Sequence, residues 1–308
     1  MTTVPPMLYV RTSMLDVAYE AHGPTDGEPV ILLHGFPYDP RAYDEIAPVL
    51  AERGYRVLVP YLRGYGPTRF INAQVMRSGQ QAALGKDLLD FMDALSIPRA
   101  TLAGYDWGGR AACIVAALWP ERVRGLVTGG GYNIQDIARS LTPRAPATEH
   151  RLWYQFYFHT QRGLDGLTAN RRELCELLWS LWSPSWAKGP GLYGQTAPSF
   201  DNPDFVEVVI HSYRHRFMYA PGDPALEAIE QALARQPAIA VPSISLCGAD
   251  DGVGPPPQED DDVKHFSAFY RRRVLPGVGH NIPQEAPQAS LDALLELLDQ
   301  ATGENRSR

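Results

Sequence analysis

The stretch Thr101-Leu-Ala-Gly-Tyr-Asp-Trp-Gly-Gly-Arg110 constrains this chain more than any other. A short apolar run ending in Leu102-Ala103 leads into it, and helix formers and small residues (111–119) lead out. Gly104 and Gly108 bracket Asp106 in the spacing G-x-Nuc-x-G, the mark of a sharp strand-to-helix elbow. Glycine is needed at both positions because the incoming strand and outgoing helix nearly touch. The central residue is expected in a strained conformation, its side chain raised clear of the sheet at the next helix's N-terminus.

Aspartate at the centre restricts the chemistry. A carboxylate attacking an ester or amide gives an unproductive mixed anhydride. Attacking a saturated carbon that bears a leaving group, it gives an ordinary ester that water can cleave. Asp106 therefore favours epoxides or alkyl halides over esters. An inert aspartate in a tight turn is the bland alternative, and the partners elsewhere in the chain weigh against it.

A chain of 308 residues can hold one large α/β domain and an inserted subdomain. With 44% hydrophobic and 20% charged residues it reads as globular rather than disordered. A net charge of -7 argues against nucleic acid or an anionic membrane as partner. No apolar run approaches the roughly 18 residues of a membrane span, and Met1-Thr-Thr-Val-Pro-Pro lacks a signal peptide's basic and apolar regions. Cys113, Cys175 and Cys247 lie far apart without C-x-x-C spacing, which predicts reduced, buried thiols and a cytoplasmic location. Neither cofactor nor metal is indicated.

Strand and helix signals alternate through the first half. Strands are expected within 7–20, at 29–33, 55–59, 100–103 and 123–127, with helices at 43–53 and 79–95. That rhythm predicts a mostly parallel sheet covered on both faces. From Tyr132 to about Pro237 the chain turns aromatic and helix-like, with helices expected at 151–159, 171–181, 204–217 and 225–234. The αβ rhythm then resumes with strands at 240–247 and 272–275, a closing helix at 289–300, and a frayed polar tail from Gly303. The expected organisation is an α/β core (1–131), a helical cap (132–237) and the rest of the core (238–308).

A carboxylate nucleophile needs a base for its second step and an acid to orient that base. In elbow enzymes the chain order is nucleophile, acid, histidine. The loop after the resumed strand offers Asp250 or Asp251 as the acid, and Gly277-Val-Gly-His-Asn offers His280. All would lie at C-terminal strand ends, where open α/β sheets bind ligands. The turn His34-Gly-Phe-Pro37 can aim the Phe36 N–H inward, to pair with that of Trp107 as an oxyanion hole.

Together, His34-Gly-Phe-Pro37, Gly104-Tyr-Asp-Trp-Gly-Gly109, Gly248-Ala-Asp-Asp251 and Gly279-His280 resemble the α/β-hydrolase superfamily, and within it the branch of epoxide hydrolases and haloalkane dehalogenases. The resemblance implies Asp251 rather than Asp250 as the acid, and neutral His280 as the base. In the cap, Trp153-Tyr-Gln-Phe-Tyr-Phe158 and Ile210-His-Ser-Tyr-Arg-His215 resemble the two segments that carry the epoxide-activating tyrosines, which implies Tyr154 and Tyr213, with Tyr157 as rival to Tyr154. His34, Trp107, Tyr154 and Tyr213 are accordingly expected to touch the substrate. The loop Tyr61-Leu-Arg-Gly-Tyr-Gly-Pro-Thr68 departs from the family's usual aspartate and small polar ending, and bears on packing. The reading is hydrolysis of a small apolar epoxide, bulky or aromatic, with water as co-substrate; a homodimer stays open. The alternatives are a haloalkane or haloacid dehalogenase with the same Asp-His-Asp set, and a non-catalytic relative that binds a small apolar ligand.

Overall fold

The computed structural model describes residues 6–306, with side chains up to residue 299. Residues 1–5 and 307–308 lie outside it, and with them most of the segment read for a signal peptide and the very end of the polar tail. The first half supplies β1 (Leu8–Arg11), β2 (Leu15–His22), β3 (Pro29–Leu33), α1 (Ala47–Glu52), β4 (Arg56–Pro60), β5 (Arg69–Phe70), α2 (Gln81–Ala94), β6 (Ala100–Tyr105), α3 (Asp106–Leu118) and β7 (Val123–Gly129). Six helices follow without a strand: α4 (Pro146–Arg151), α5 (Trp153–His159), α6 (Gln161–Trp182), α7 (Gly189–Thr196), α8 (Phe205–His215) and α9 (Glu227–Leu233). The chain closes with β8 (Ser243–Gly248), β9 (Tyr270–Leu275), α10 (Ile282–Glu285) and α11 (Pro287–Arg306).

The strands form one sheet in the order β1-β2-β4-β3-β6-β7-β8-β9, with the short β5 paired to β2. From β4 to β9 every neighbour is parallel; β1 and β2 are antiparallel. The interior strands β6 and β8, each paired on both sides, are buried along their whole length, as a sheet covered on both faces requires. Strand β8 starts at Ser243 rather than 240 because Pro242 has no N–H to give to the ladder; its carbonyl accepts from Leu126 instead. The final helix continues past Gln300 to Arg306, where a frayed tail was expected; no proline interrupts residues 301–306, so the backbone ladder can continue.

The inserted helices follow the apolar pattern with two differences. Helix α6 runs through the expected 171–181 but starts ten residues earlier and bends at Asn170 (φ -128°, ψ 36°). Helix α7 lay hidden in a Gly- and Pro-rich stretch. These helices rest on the loop after β3. Phe36 is their hub, its ring 5.6 Å from Tyr213, 5.9 Å from Trp182 and 6.3 Å from both Phe158 and Phe205. Burying one such ring contributes about 1.5–3 kcal/mol. Polar ties fix the seat: Trp179 Nε1 donates to Pro37 O (2.7 Å), and buried Asp39 accepts from Thr196 (2.8 Å) and Ser199 (2.6 Å). Burial outweighs those bonds and lifts the Asp39 carboxyl to about 7. Glu230 of α9 reaches the first turn of α2 and accepts from the Ala82 N–H (3.1 Å). In the divergent loop after β4, Thr68 donates to Tyr61 O (2.8 Å), and buried Arg63 forms a bidentate pair with Asp87 (2.6 Å each). Both contacts tie the loop to its own neighbours. The three cysteines are buried and unbridged. Among the described residues, no helix is long and apolar enough to cross a membrane.

Candidate active site

The elbow has the strain its sequence demands. Asp106 sits at φ +50°, in the left-handed region that side chains other than glycine rarely adopt. A Cβ on Gly104 would lie 2.5 Å from the Gly108 carbonyl, and one on Gly108 would lie 2.2 Å from Leu33 O. Only glycine permits that approach. The turn leaves Asp106 as the first residue of α3, beside backbone N–H groups that have no intrahelical acceptor.

Four strand ends then converge. Phe36, after β3, donates its N–H to Asp106 Oδ1 at 2.7 Å. The second oxygen, Oδ2, lies 3.7 Å from His280 Nε2, an ion-pair distance rather than a hydrogen bond. His280, after β9, meets Asp251 Oδ2 with Nδ1 at 2.8 Å. Asp251, after β8, accepts from the Val253 and Gly254 N–H groups through Oδ1. Asp250 takes no part: it is exposed, and its N–H serves Val278 O.

Electrostatics set the protonation of this line. Burial works against charge on Asp106, but His280, Arg110 and the Phe36 N–H outweigh it and hold the carboxyl below its ordinary range. For His280, burial is again outweighed, by Asp251 and Asp106, and the ring is pushed up to about 10. The neutral base expected for the second step is therefore not the form favoured at rest. Between two carboxylates the resting ring is an imidazolium.

Tyr154 on α5 and Tyr213 on α8 are buried beside each other, with ring centroids 5.4 Å apart. Gln155 Nε2 donates to the Tyr154 hydroxyl at 3.0 Å, which leaves that O–H proton free to be given elsewhere. Burial lifts Tyr154 to about 12 and Tyr213 well above the phenol range, so both are neutral proton carriers. Tyr157 points away: a Cβ on Gly166 of α6 would fall 1.8 Å from its hydroxyl. Trp107 is fully buried beneath Phe36 and Tyr213, and its indole Nε1 has no acceptor among the described residues.

His34 needs correction. It is wholly buried, and its Nε2 accepts from the Leu62 N–H (3.1 Å), which leaves Nδ1–H to donate to Gly35 O (3.0 Å). Burial lowers it to about 4, so it is a neutral brace for the loop that aims Phe36; of the four residues expected to touch substrate, His34, Trp107 and Tyr213 are fully buried and off the cavity wall, and Tyr154 is on it. Two residues that the sequence did not single out brace the other side. Glu285 accepts from Ser183 Oγ (2.6 Å) and from the Gly279 and Asn281 N–H groups (2.7 and 2.9 Å). Ser183 in turn accepts from the His280 N–H (3.2 Å).

Asp106, Asp251, His280 and Tyr154 open onto a cavity of about 720 Å³ that Arg110 and Arg216 also line. Its wall is largely polar, and several large aromatics of the cap helices pack elsewhere. Phe158 and Trp182 surround Phe36, Trp179 holds Pro37 and stacks near Trp186, and Phe156 is exposed on the surface. Aromatic composition could not distinguish a cavity wall from a helix seat.

A family model described as alpha/beta hydrolase fold matches residues 28–287, and the chain belongs to that family. A crystal structure from Klebsiella pneumoniae subsp. pneumoniae, provisionally named an epoxide hydrolase, is 44% identical with a TM-score of 0.91, over 94% of this chain and 96% of that one. Epoxide hydrolase B of Mycobacterium tuberculosis is 28% identical over 216 residues, which are 65% of this chain and 58% of that protein. Haloalkane dehalogenase of Mycobacterium marinum is 34% identical over 149 residues, 47% of this chain and 46% of that protein. The chain thus spans less than two thirds of the length of these two curated relatives.

Proposed function

We propose that this chain is an epoxide hydrolase, which opens an epoxide to a vicinal diol through an ester on Asp106, with residues 132–237 as its cap. The observation that carries this is the pairing of an ionised elbow carboxylate with neutral Tyr154, facing it across one cavity. An epoxide leaves an alkoxide, which needs a proton; a halide leaves as an anion and would make the tyrosines idle. The bare Nε1 of Trp107 could serve a halide, but it explains neither tyrosine.

Because Phe36 holds Oδ1, Oδ2 is the attacking oxygen. It displaces the ring oxygen from carbon while Tyr154 or Tyr213 gives that oxygen a proton. Esterification removes the charge on Asp106, His280 loses one of its two anions, and its proton affinity falls. The proton it sheds restores the tyrosine by way of solvent. The neutral ring, held by Asp251, then takes a proton from water, and hydroxide adds to the ester carbonyl. The oxyanion forms at Oδ1, on the N–H groups of Phe36 and Trp107, where one donor contributes typically about 3–4 kcal/mol. Collapse expels the diol, whose alkoxide takes the proton of the new carboxylic acid. Aspartate and imidazolium are restored.

Single turnover in H₂¹⁸O tests this scheme. The hydrolytic oxygen should enter the Asp106 peptide, and the first diol should carry no label. Label in that first diol would mean direct attack by water and would refute the ester.

A further inference from the structure

We propose that the cavity takes an epoxide that bears a carboxylate, held by Arg110 and Arg216. The placement of the epoxide rests on the reading of Asp106 as nucleophile; the anion subsite itself rests on the arginines.

Arg110 lies four residues after Asp106 on α3, hence on the same face, and helical side chains tilt toward the N-terminus, here toward the cavity. It is only 8% exposed, yet no described residue forms a hydrogen bond or ion pair with it, and its Nε is sealed from solvent without a partner. Arg216, just after α8, is equally buried. Among the described residues its hydrogen bonds go to Ser212 alone, at O (3.4 Å) and Oγ (3.1 Å), and it lies over the Tyr213 ring at 4.1 Å. Among the described residues neither forms an ion pair with a carboxylate, although buried arginines are ordinarily paired. Burial and the proximity of Arg216 weaken the hold of Arg110 on its proton.

Charge balance indicates what is missing. His280 and Asp251 offset each other. Two guanidiniums then face one carboxylate, Asp106, which is already engaged by Phe36 and His280. One further negative charge completes the site. A carboxylate supplies it with two coplanar oxygens that match the guanidinium fork, whereas a dianionic phosphate would overshoot beside Asp106. Arg139, Arg144 and Asp136 also border the cavity; the two arginines are exposed, where water satisfies them, and Asp136 caps a turn, its Oδ1 accepting from the Arg139 N–H (3.3 Å).

The test compares 3,4-epoxybutanoate and 4,5-epoxypentanoate with their carboxamides in the wild-type enzyme, Arg110→Met and Arg216→Met. At least one acid should exceed its amide by tenfold or more in kcat/KM, and the ratio should fall toward one in either variant. If acid and amide decline together with the ratio intact, Arg110 serves only to keep Asp106 ionised and the proposal is overturned. Calorimetric binding of pentanoate and pentanamide provides a readout without turnover. Pentanoate should bind the wild-type enzyme at least tenfold tighter, and Arg110→Met should abolish the difference; equal binding to the wild-type enzyme overturns the subsite. The wild-type comparison stands even where a variant fails to fold. Arg110-dependent pentanoate binding with no epoxide turned over would sink the epoxide reading and leave the subsite. Turnover of the amides without acid preference would do the reverse.

Discussion

The charge on His280 is the least intuitive consequence of the site, and it can be measured. Coulomb attraction across the 3.7 Å to Asp106 is about 4 kcal/mol at an effective dielectric of about 20. That is about three powers of ten in proton affinity. Replacing Asp106 by Asn removes the charge while keeping the shape, and stands in for the neutral ester. His280, pushed up to about 10 in the resting enzyme, should then titrate near neutrality, where a general base works best. Nitrogen-15 NMR of histidine-labelled protein reads this directly. In the wild-type enzyme at pH 8 the His280 signals should be those of an imidazolium, and in Asp106→Asn those of a neutral ring. A wild-type ring that loses its proton near pH 6.5, or one that Asp106→Asn leaves unmoved, would refute the electrostatic account.

The same ring links stability to pH. Its folded value lies above the ordinary 6.5, so the stabilisation is complete below pH 6.5 and is lost as pH rises toward 10. The wild-type advantage over His280→Gln in chemical denaturation should therefore shrink across that window; a constant gap would contradict it. Tyr154→Phe and Tyr213→Phe should each slow ester formation, by about 10²-fold or more for the principal donor, whereas Tyr157→Phe should leave it intact in stopped-flow traces. Gly104→Ala should lose at least about 1–3 kcal/mol on denaturation, because its methyl would lie 2.5 Å from the Gly108 carbonyl.

Much of the site was legible because backbone geometry imposes it. The glycines around Asp106, the order Asp106, Asp251, His280 and the strand rhythm are readable patterns, and the fold brings those three side chains into one line. What escaped depends on where side chains end up. His34 sits in a loop beside Asp106, but both its nitrogens serve backbone atoms, which no spacing reveals. Tyr154 and Tyr157 are one helical turn apart, and the choice between them depends on Gly166 in a different helix. The protonation of His280 reflects two carboxylates brought from 29 and 174 residues away in the chain. Glu285 and Ser183 meet only in the folded molecule. Arg110 left a readable signal, four residues after Asp106 on one helix face, but its meaning appears only once no described residue is found hydrogen-bonded or ion-paired to it.

The central claim is that Asp106 forms an ester with an epoxide. Intact-protein mass spectrometry of His280→Gln tests it most directly, since without its base the enzyme should stall after the first step. Mixed with an epoxide, the protein should gain the whole epoxide mass, and the gain should vanish when Asp106 is also replaced. A gain only from haloalkanes or haloacetate, equal to the substrate less HX, would make the enzyme a dehalogenase. An epoxide adduct that survives replacement of Asp106 would contradict the account outright.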